Sequence, residues 1–188
     1  MTGLIIAIVV VVILVIIAIA LVSMYNSLVR LRNLVQESWR QIDVELHRRH
    51  DLIPNLVETV KGYAAHEKGV FEEVARARSA AAAPGSSPAE QAQQENQLTQ
   101  ALGRLFAVAE NYPVLRASEN FQQLQGELTA TEDRIAAARR YYNANVRELN
   151  TKIESFPSNI IAGMFHFERA EYFEADEPEV RQAPQVQF

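Results

Sequence analysis

The chain has 188 residues, no cysteine, and a formal charge of −5 from 18 basic and 23 acidic side chains. Without thiols there is no disulfide framework, thiolate metal site, cysteine nucleophile or lipoprotein anchor. No basic stripe invites nucleic acid, and with only seven glycines, none in a phosphate-loop pattern, nucleotide chemistry is not expected either.

The run from Leu4 to Val22 holds 16 Leu, Ile or Val residues and no charge, proline or glycine. As a helix it would rise about 28 Å, close to the roughly 30 Å hydrocarbon core of a bilayer. Each large aliphatic contributes about −0.3 to −0.6 kcal/mol at the helix centre, and no charge at about +3 opposes the sum. Many are β-branched and form helices poorly in water. In lipid an unpaired backbone amide costs more than that deficit. A buried core helix is disfavoured because the surface is apolar all round. Ala18-Ile19-Ala20 resembles a signal cleavage site, yet Met1-Thr2-Gly3 lacks the basic side chain of a secretory signal and the apolar run is too long for one. An uncleaved single span touching membrane lipid is expected. Arg30, Arg32 and Arg40 follow it, which places the N-terminus outside and the body in the cytoplasm.

Apolar positions then step through Leu28, Leu31, Val35, Trp39, Ile42 and Leu46 at helical spacing, and no breaker separates them from the span. At residues 48–54 two outcomes are open. Asp51 as N-cap and Pro54 in a first turn favour a helix–helix corner; apolar spacing that continues through Ile53 favours a kink in one long helix. With the corner, the second helix runs over 51–83 and ends at Pro84-Gly85. Ser87-Pro88-Ala89-Glu90 opens the third as a capping box, and Tyr112-Pro113 ends it. The fourth carries a seam of Phe121, Leu124, Leu128, Thr131, Ile135, Ala138, Tyr142, Asn145 and Leu149, the spacing of bundles and coiled coils. Thr131 and Asn145 cost stability there and fix register. After Phe156-Pro157, Ser158 is expected to cap a short turn through Met164.

Short connections make successive helices antiparallel neighbours. The fold class is therefore all-α: a transmembrane anchor (1–23), then an antiparallel up-and-down four-helix bundle over 24–167, with helices near 24–48, 51–83, 88–111 and 118–155 and a short one at 159–164. Its hand is open, a bromodomain-like one included. An acidic, largely extended tail (168–188) follows. The fourth helix returns Phe156, Ile160, Ile161, Met164, Phe165 and Phe167 towards the bilayer, as a lid on the core or as an interfacial segment. The closing Val186-Gln187-Phe188 could add as a strand to a partner's sheet.

Chemistry is sparse. The chain has no Glu-x-x-His pair, and His66-Glu67 lacks the second histidine of a zinc-protease helix. His47 and His50 share a face, but Arg48 and Arg49 would repel a cation. No catalytic residue, metal or cofactor is expected.

Several collinear motifs resemble the LemA family: Tyr25-Asn26-x-Leu28-Val29, Arg49-His50-Asp51-Leu52-Ile53-Pro54-Asn55-Leu56-Val57, Val60-Lys61-Gly62-Tyr63 with His66-Glu67, Arg139-Arg140-x-Tyr142-Asn143, and Phe156-Pro157-Ser158-Asn159-Ile160-Ile161. The resemblance covers about 25–173 and the closing Val-x-Phe. It implies a bacterial membrane protein with one N-terminal span, a short external N-terminus and a cytoplasmic antiparallel helical bundle. It also favours the corner near Asp51. Ser38 stands where the family tends to have alanine. The family brings no established catalytic residues, and a relative among magnetosome-membrane proteins is similar to a scaffold. Asn55, His66 and Glu67 fit the family pattern without an obvious core role and are candidate partner contacts, with Val186 and Phe188. The expected function is a membrane-anchored scaffold or adaptor for unidentified protein partners, self-association included. The alternative is a membrane-remodelling or lipid-interface protein that uses residues 156–173.

Overall fold

A computed structural model describes residues 1–174. It is helical throughout: α1 Thr2–Lys61, α2 Lys68–Ala81, α3 Pro88–Glu110, α4 Pro113–Arg116, α5 Glu119–Glu154 and α6 Ser158–Met164. No strand occurs among the described residues. The side chains of residues 4–17 are all exposed, an apolar surface long enough to cross a membrane.

The expected corner at Asp51 is not there. Helix α1 runs through Asp51 and Pro54 without interruption. Proline removes one amide, so the carbonyl four residues earlier, that of His50, loses its helical partner. Arg78 of α2 supplies the missing donor, its Nε bonding His50 O at 2.8 Å. Pro54 itself faces outward, while Leu46, Ile53, Leu56 and Val60 stay on the buried stripe. The turn comes at Gly62 instead. There the Val60 carbonyl accepts from both Tyr63 N (3.0 Å) and Ala64 N (2.9 Å), tightening the helix end. The expected second helix therefore divides, 51–61 joining α1 and 68–81 forming α2.

Two compact units emerge. One comprises Met1–Arg40 and Tyr141–Ala170. Here Leu28, Leu31 and Val35 of α1, Tyr142, Val146 and Leu149 of α5, and Ile161 and Ala162 of α6 are buried. Trp39 packs on Tyr142 with ring centroids 5.4 Å apart. Ser38 is buried at no hydrogen-bonding loss, because its hydroxyl donates to Leu34 O and Val35 O, both at 2.9 Å. Asn145 is less well served: its Nδ2 is buried without a partner among the described residues.

The other unit comprises Gln41–Arg140 and the described residues from Glu171. Its core joins Ile53, Leu56 and Val60 of α1, Phe71 and Val74 of α2, Leu98, Leu102 and Leu105 of α3, Leu115 of α4, and Phe121 and Leu128 of α5. The capping box at α3 forms as the sequence predicts, with Ser87 Oγ accepting from Glu90 N and the Glu90 carboxylate from Ser87 N. Arg104 and Glu73 pair between α3 and α2. The seam of α5 is buried or half-buried at every predicted position.

Candidate functional site

In the unit built on Gln41–Arg140, α1 and α3 bring ionic groups into the interior. Arg49 and His50 occupy the stripe between Leu46 and Ile53, where helical periodicity turns side chains inward. On α3, Gln91, Glu95 and Thr99 are spaced by four and share a face. Arg49 is 2% exposed and Glu95 5%.

The Arg49 guanidinium forks: Nη1 donates to Glu95 Oε2 at 2.9 Å and Nη2 to the Thr99 hydroxyl at 2.6 Å. Its Nε lies 2.8 Å from Glu132 Oε1 on α5, an ion pair out of line for a hydrogen bond. Glu95 Oε1 meets His50 Nε2 at 2.7 Å, and an imidazole facing a carboxylate must donate. Gln91 Nε2 donates to the same oxygen at 3.1 Å and to Ala81 O at 2.7 Å. The Thr99 hydroxyl passes its own proton to Glu95 O at 3.0 Å. Burial pushes the Glu132 carboxyl above the ordinary glutamate range; the Arg49 charge opposes this, and the Glu95 and Asp133 charges add to it. Such a cluster acts chemically as a clasp. It ties α1 to α3 and α5, and a buried charge left without its partner would be costly.

His47, one turn earlier, is exposed. Its Nδ1 bonds the Asp43 carbonyl at 2.8 Å, and that bond, with the Asp43 and Asp51 charges, raises its pKa against a small opposing effect of burial. The His47 and His50 rings lie 6.5 Å apart. No group of three or more His, Asp or Glu side chains arranged to hold a metal occurs among the described residues.

In the unit containing α6, the chain returns beside Tyr25. Ser158 does not cap this helix, contrary to the sequence expectation. It lies within the first turn, and its hydroxyl donates back to Lys152 O (2.6 Å) and Ser155 O (2.9 Å) of the preceding chain. The C-terminus of α6 closes on His166, whose φ is 53°. His166 N bonds Gly163 O and Phe167 N bonds Ala162 O, the paired bonds of a left-handed helix stop. That reversal sets Phe165 and Phe167 against Tyr25, with ring centroids at 4.7 and 5.9 Å. Arg32 stands over the Phe167 ring at 5.2 Å. Asn150 then grips the returning backbone at both ends of its amide, donating to Ala170 O and accepting from Ala170 N, each at 2.9 Å. Residues 168–170 are thus held rather than trailing, and Phe173 is buried, so the tail begins later than the sequence suggests.

The predicted partner residues are dispersed. Asn55 is exposed on α1, and its carbonyl accepts the Thr59 hydroxyl. His66 is exposed in the turn, and half-buried Glu67 precedes α2 without capping it. Val186 and Phe188 lie outside the described residues. Of the predicted interfacial set, Phe156, Ile160, Met164 and Phe165 are exposed, Phe167 is half-buried and Ile161 is buried. The clasp was not singled out from sequence, although one signal was present: Arg49 and His50 fall on the apolar stripe at positions a solvated face would not use.

Comparison with known proteins decides the family. A model of the LemA family matches residues 38–188. The chain belongs to the LemA family. Among curated relatives, this LemA-family chain is 29% identical over 179 residues to Magnetosome protein MamQ 1 of Paramagnetospirillum magneticum, covering 82% of the chain and 66% of that protein. Magnetosome protein MamQ of Magnetospirillum gryphiswaldense is 27% identical over 178 residues, covering 81% and 65%. Protein LemA of Metamycoplasma hominis is 27% identical over 154 residues, covering 82% and 70%. The chain thus spans slightly under two thirds of the MamQ proteins' length.

Proposed function

We propose that this LemA-family chain is a single-span, membrane-anchored helical adaptor. Residues 4–22 cross the bilayer, the N-terminus lies outside, and the body, an antiparallel up-and-down bundle of α1, α2, α3 and α5, offers helix surfaces to protein partners in the cytoplasm. The reading rests above all on the continuity of α1: the apolar stretch and the core-forming stretch are one helix from Thr2 to Lys61. The arginines that follow the apolar run favour the orientation. Exposed Asn55 and His66, at the end of α1 and in the turn beyond it, are the surface assigned to partners. The body acts by holding and presenting, without a reaction of its own.

Two measurements test this. Trypsin added to intact spheroplasts should leave the body whole, and lysis should expose its many Lys and Arg residues to cleavage; digestion before lysis overturns the topology. A photo-crosslinking amino acid at His66 should give a discrete adduct with a second polypeptide in living cells. Absence of adducts from both His66 and Asn55 overturns the adaptor reading.

A further inference from the structure

We propose that the outer face of α6 rests in the headgroup layer of the phospholipid leaflet crossed by the chain's own apolar helix. Phe156, Ile160, Met164 and Phe165 would be inserted among the lipids. The proposal goes beyond the adaptor role and rests only on the membrane anchor. Helix α6 is two-sided: Ser158, Ile161 and Ala162 face the protein, while Phe156 is 81% exposed, Met164 65%, Ile160 54% and Phe165 52%. Four large apolar side chains together on one short segment form a patch that water does not favour.

What covers the patch follows from its level along α1. Tyr25 is three residues past Val22, about 4.5 Å further along the helix axis. The headgroup region extends about 5–7 Å beyond the hydrocarbon on each side, so Tyr25 lies within it. Its ring is 4.7 Å from that of Phe165, which ties α6 to the same level. The helix-stop bonds at His166 and the Asn150 grip on Ala170 fix the segment there. A groove of about 780 Å³ adjoins it, with Ala18, Ile19 and Val22 on its wall and Arg30 and Lys152 at its rim. Apolar wall and cationic rim match an acyl chain below a lipid phosphate. Aromatic side chains at a membrane surface behave in the same way, with ring in the boundary and polar neighbours in water.

The chain has no cysteine, so single cysteines can be introduced into the full-length protein without removing any other. I160C and M164C would each carry an environment-sensitive fluorophore in vesicles of phosphatidylethanolamine and phosphatidylglycerol. V11C would serve as the in-membrane reference and V114C, on exposed Val114, as the aqueous one. Expected is strong quenching by lipids brominated near the headgroup and at least severalfold weaker quenching by iodide than at V114C. If both α6 positions behave like V114C while V11C is quenched by bromolipid, the face is not interfacial although the anchor stands. If V11C also escapes bromolipid, the anchor itself fails and the proposal with it. Protection from both quenchers means that a second copy or another protein covers the face, which also overturns the proposal. The two exposed positions are independent, so poor folding of one variant leaves the other to decide.

Discussion

Glu95 carries the largest single-residue consequence, because Arg49, His50 and Gln91 all converge on its carboxylate. Truncation by E95A leaves a buried guanidinium without that partner and should cost about 3–5 kcal/mol. E95Q keeps an acceptor and should cost less. Thermal melting of the full chain in detergent measures both, and a loss below about 1 kcal/mol for E95A would show the clasp to be dispensable. Glu132 gives a pH signature. Its folded-state pKa is raised above the ordinary 4.5, chiefly by burial. The folded state therefore holds the proton more tightly than the unfolded one, and stability falls as the pH rises from about 4.5 through the raised value. E132Q should flatten that part of the stability–pH curve, and an unchanged slope would put its origin elsewhere. In the sequence Glu95 sits amid Gln91, Gln93, Gln94, Asn96 and Gln97, a stretch that reads as a solvated face. Only pairing with a side chain 46 positions away makes its burial tolerable, and single-helix periodicity carries no trace of that.

At the scale of the element, α1 shows why the corner near Asp51 was misplaced. Local chemistry supported it: an N-cap residue and a proline three positions on. The compensation comes from Arg78, 24 residues after Pro54, which bonds the carbonyl that proline orphans. R78M should therefore cost about 1–3 kcal/mol, the penalty of a buried carbonyl without a donor. In a P54A background the helix supplies its own amide, and the same R78M change should cost clearly less. Thermal melts of the four proteins in a double-mutant cycle give the coupling, and equal costs in both backgrounds would break the link. The features written in local sequence fared better. The capping box at Ser87, the α5 seam and the break at Phe156-Pro157 all stand where side-chain type alone puts them. Asn150 makes a further element-scale case. N150A removes both bonds to Ala170, and hydrogen exchange should find the Ala170 amide losing most of its protection. Retained protection would mean that packing alone holds the segment.

For the whole molecule, the apolar stretch, the all-helical composition and the LemA-family membership were legible because each rests on many residues agreeing. The function is less legible because an adaptor's surface is defined by its partner, and Asn55, His66 and Glu67 carry no geometry of their own. One alanine inserted after Ser23 probes the molecule as a unit. It turns everything downstream by about 100° and shifts it by about 1.5 Å relative to residues 4–22. The buried positions of α1 begin at Leu28, so the melting temperature of the body should be unchanged. The quenching of M164C by bromolipid should drop, since its level is set through Tyr25. Identical quenching in both proteins would separate the depth of α6 from the register of α1.

A shaft without a joint transmits torque. Because Pro54 is spliced into α1 by Arg78 rather than marking a hinge, a twist applied to the greasy end by a thicker leaflet or a second span has no swivel within the helix to absorb it. Whatever grips the far tip of α1 would then feel changes in the bilayer as rotation.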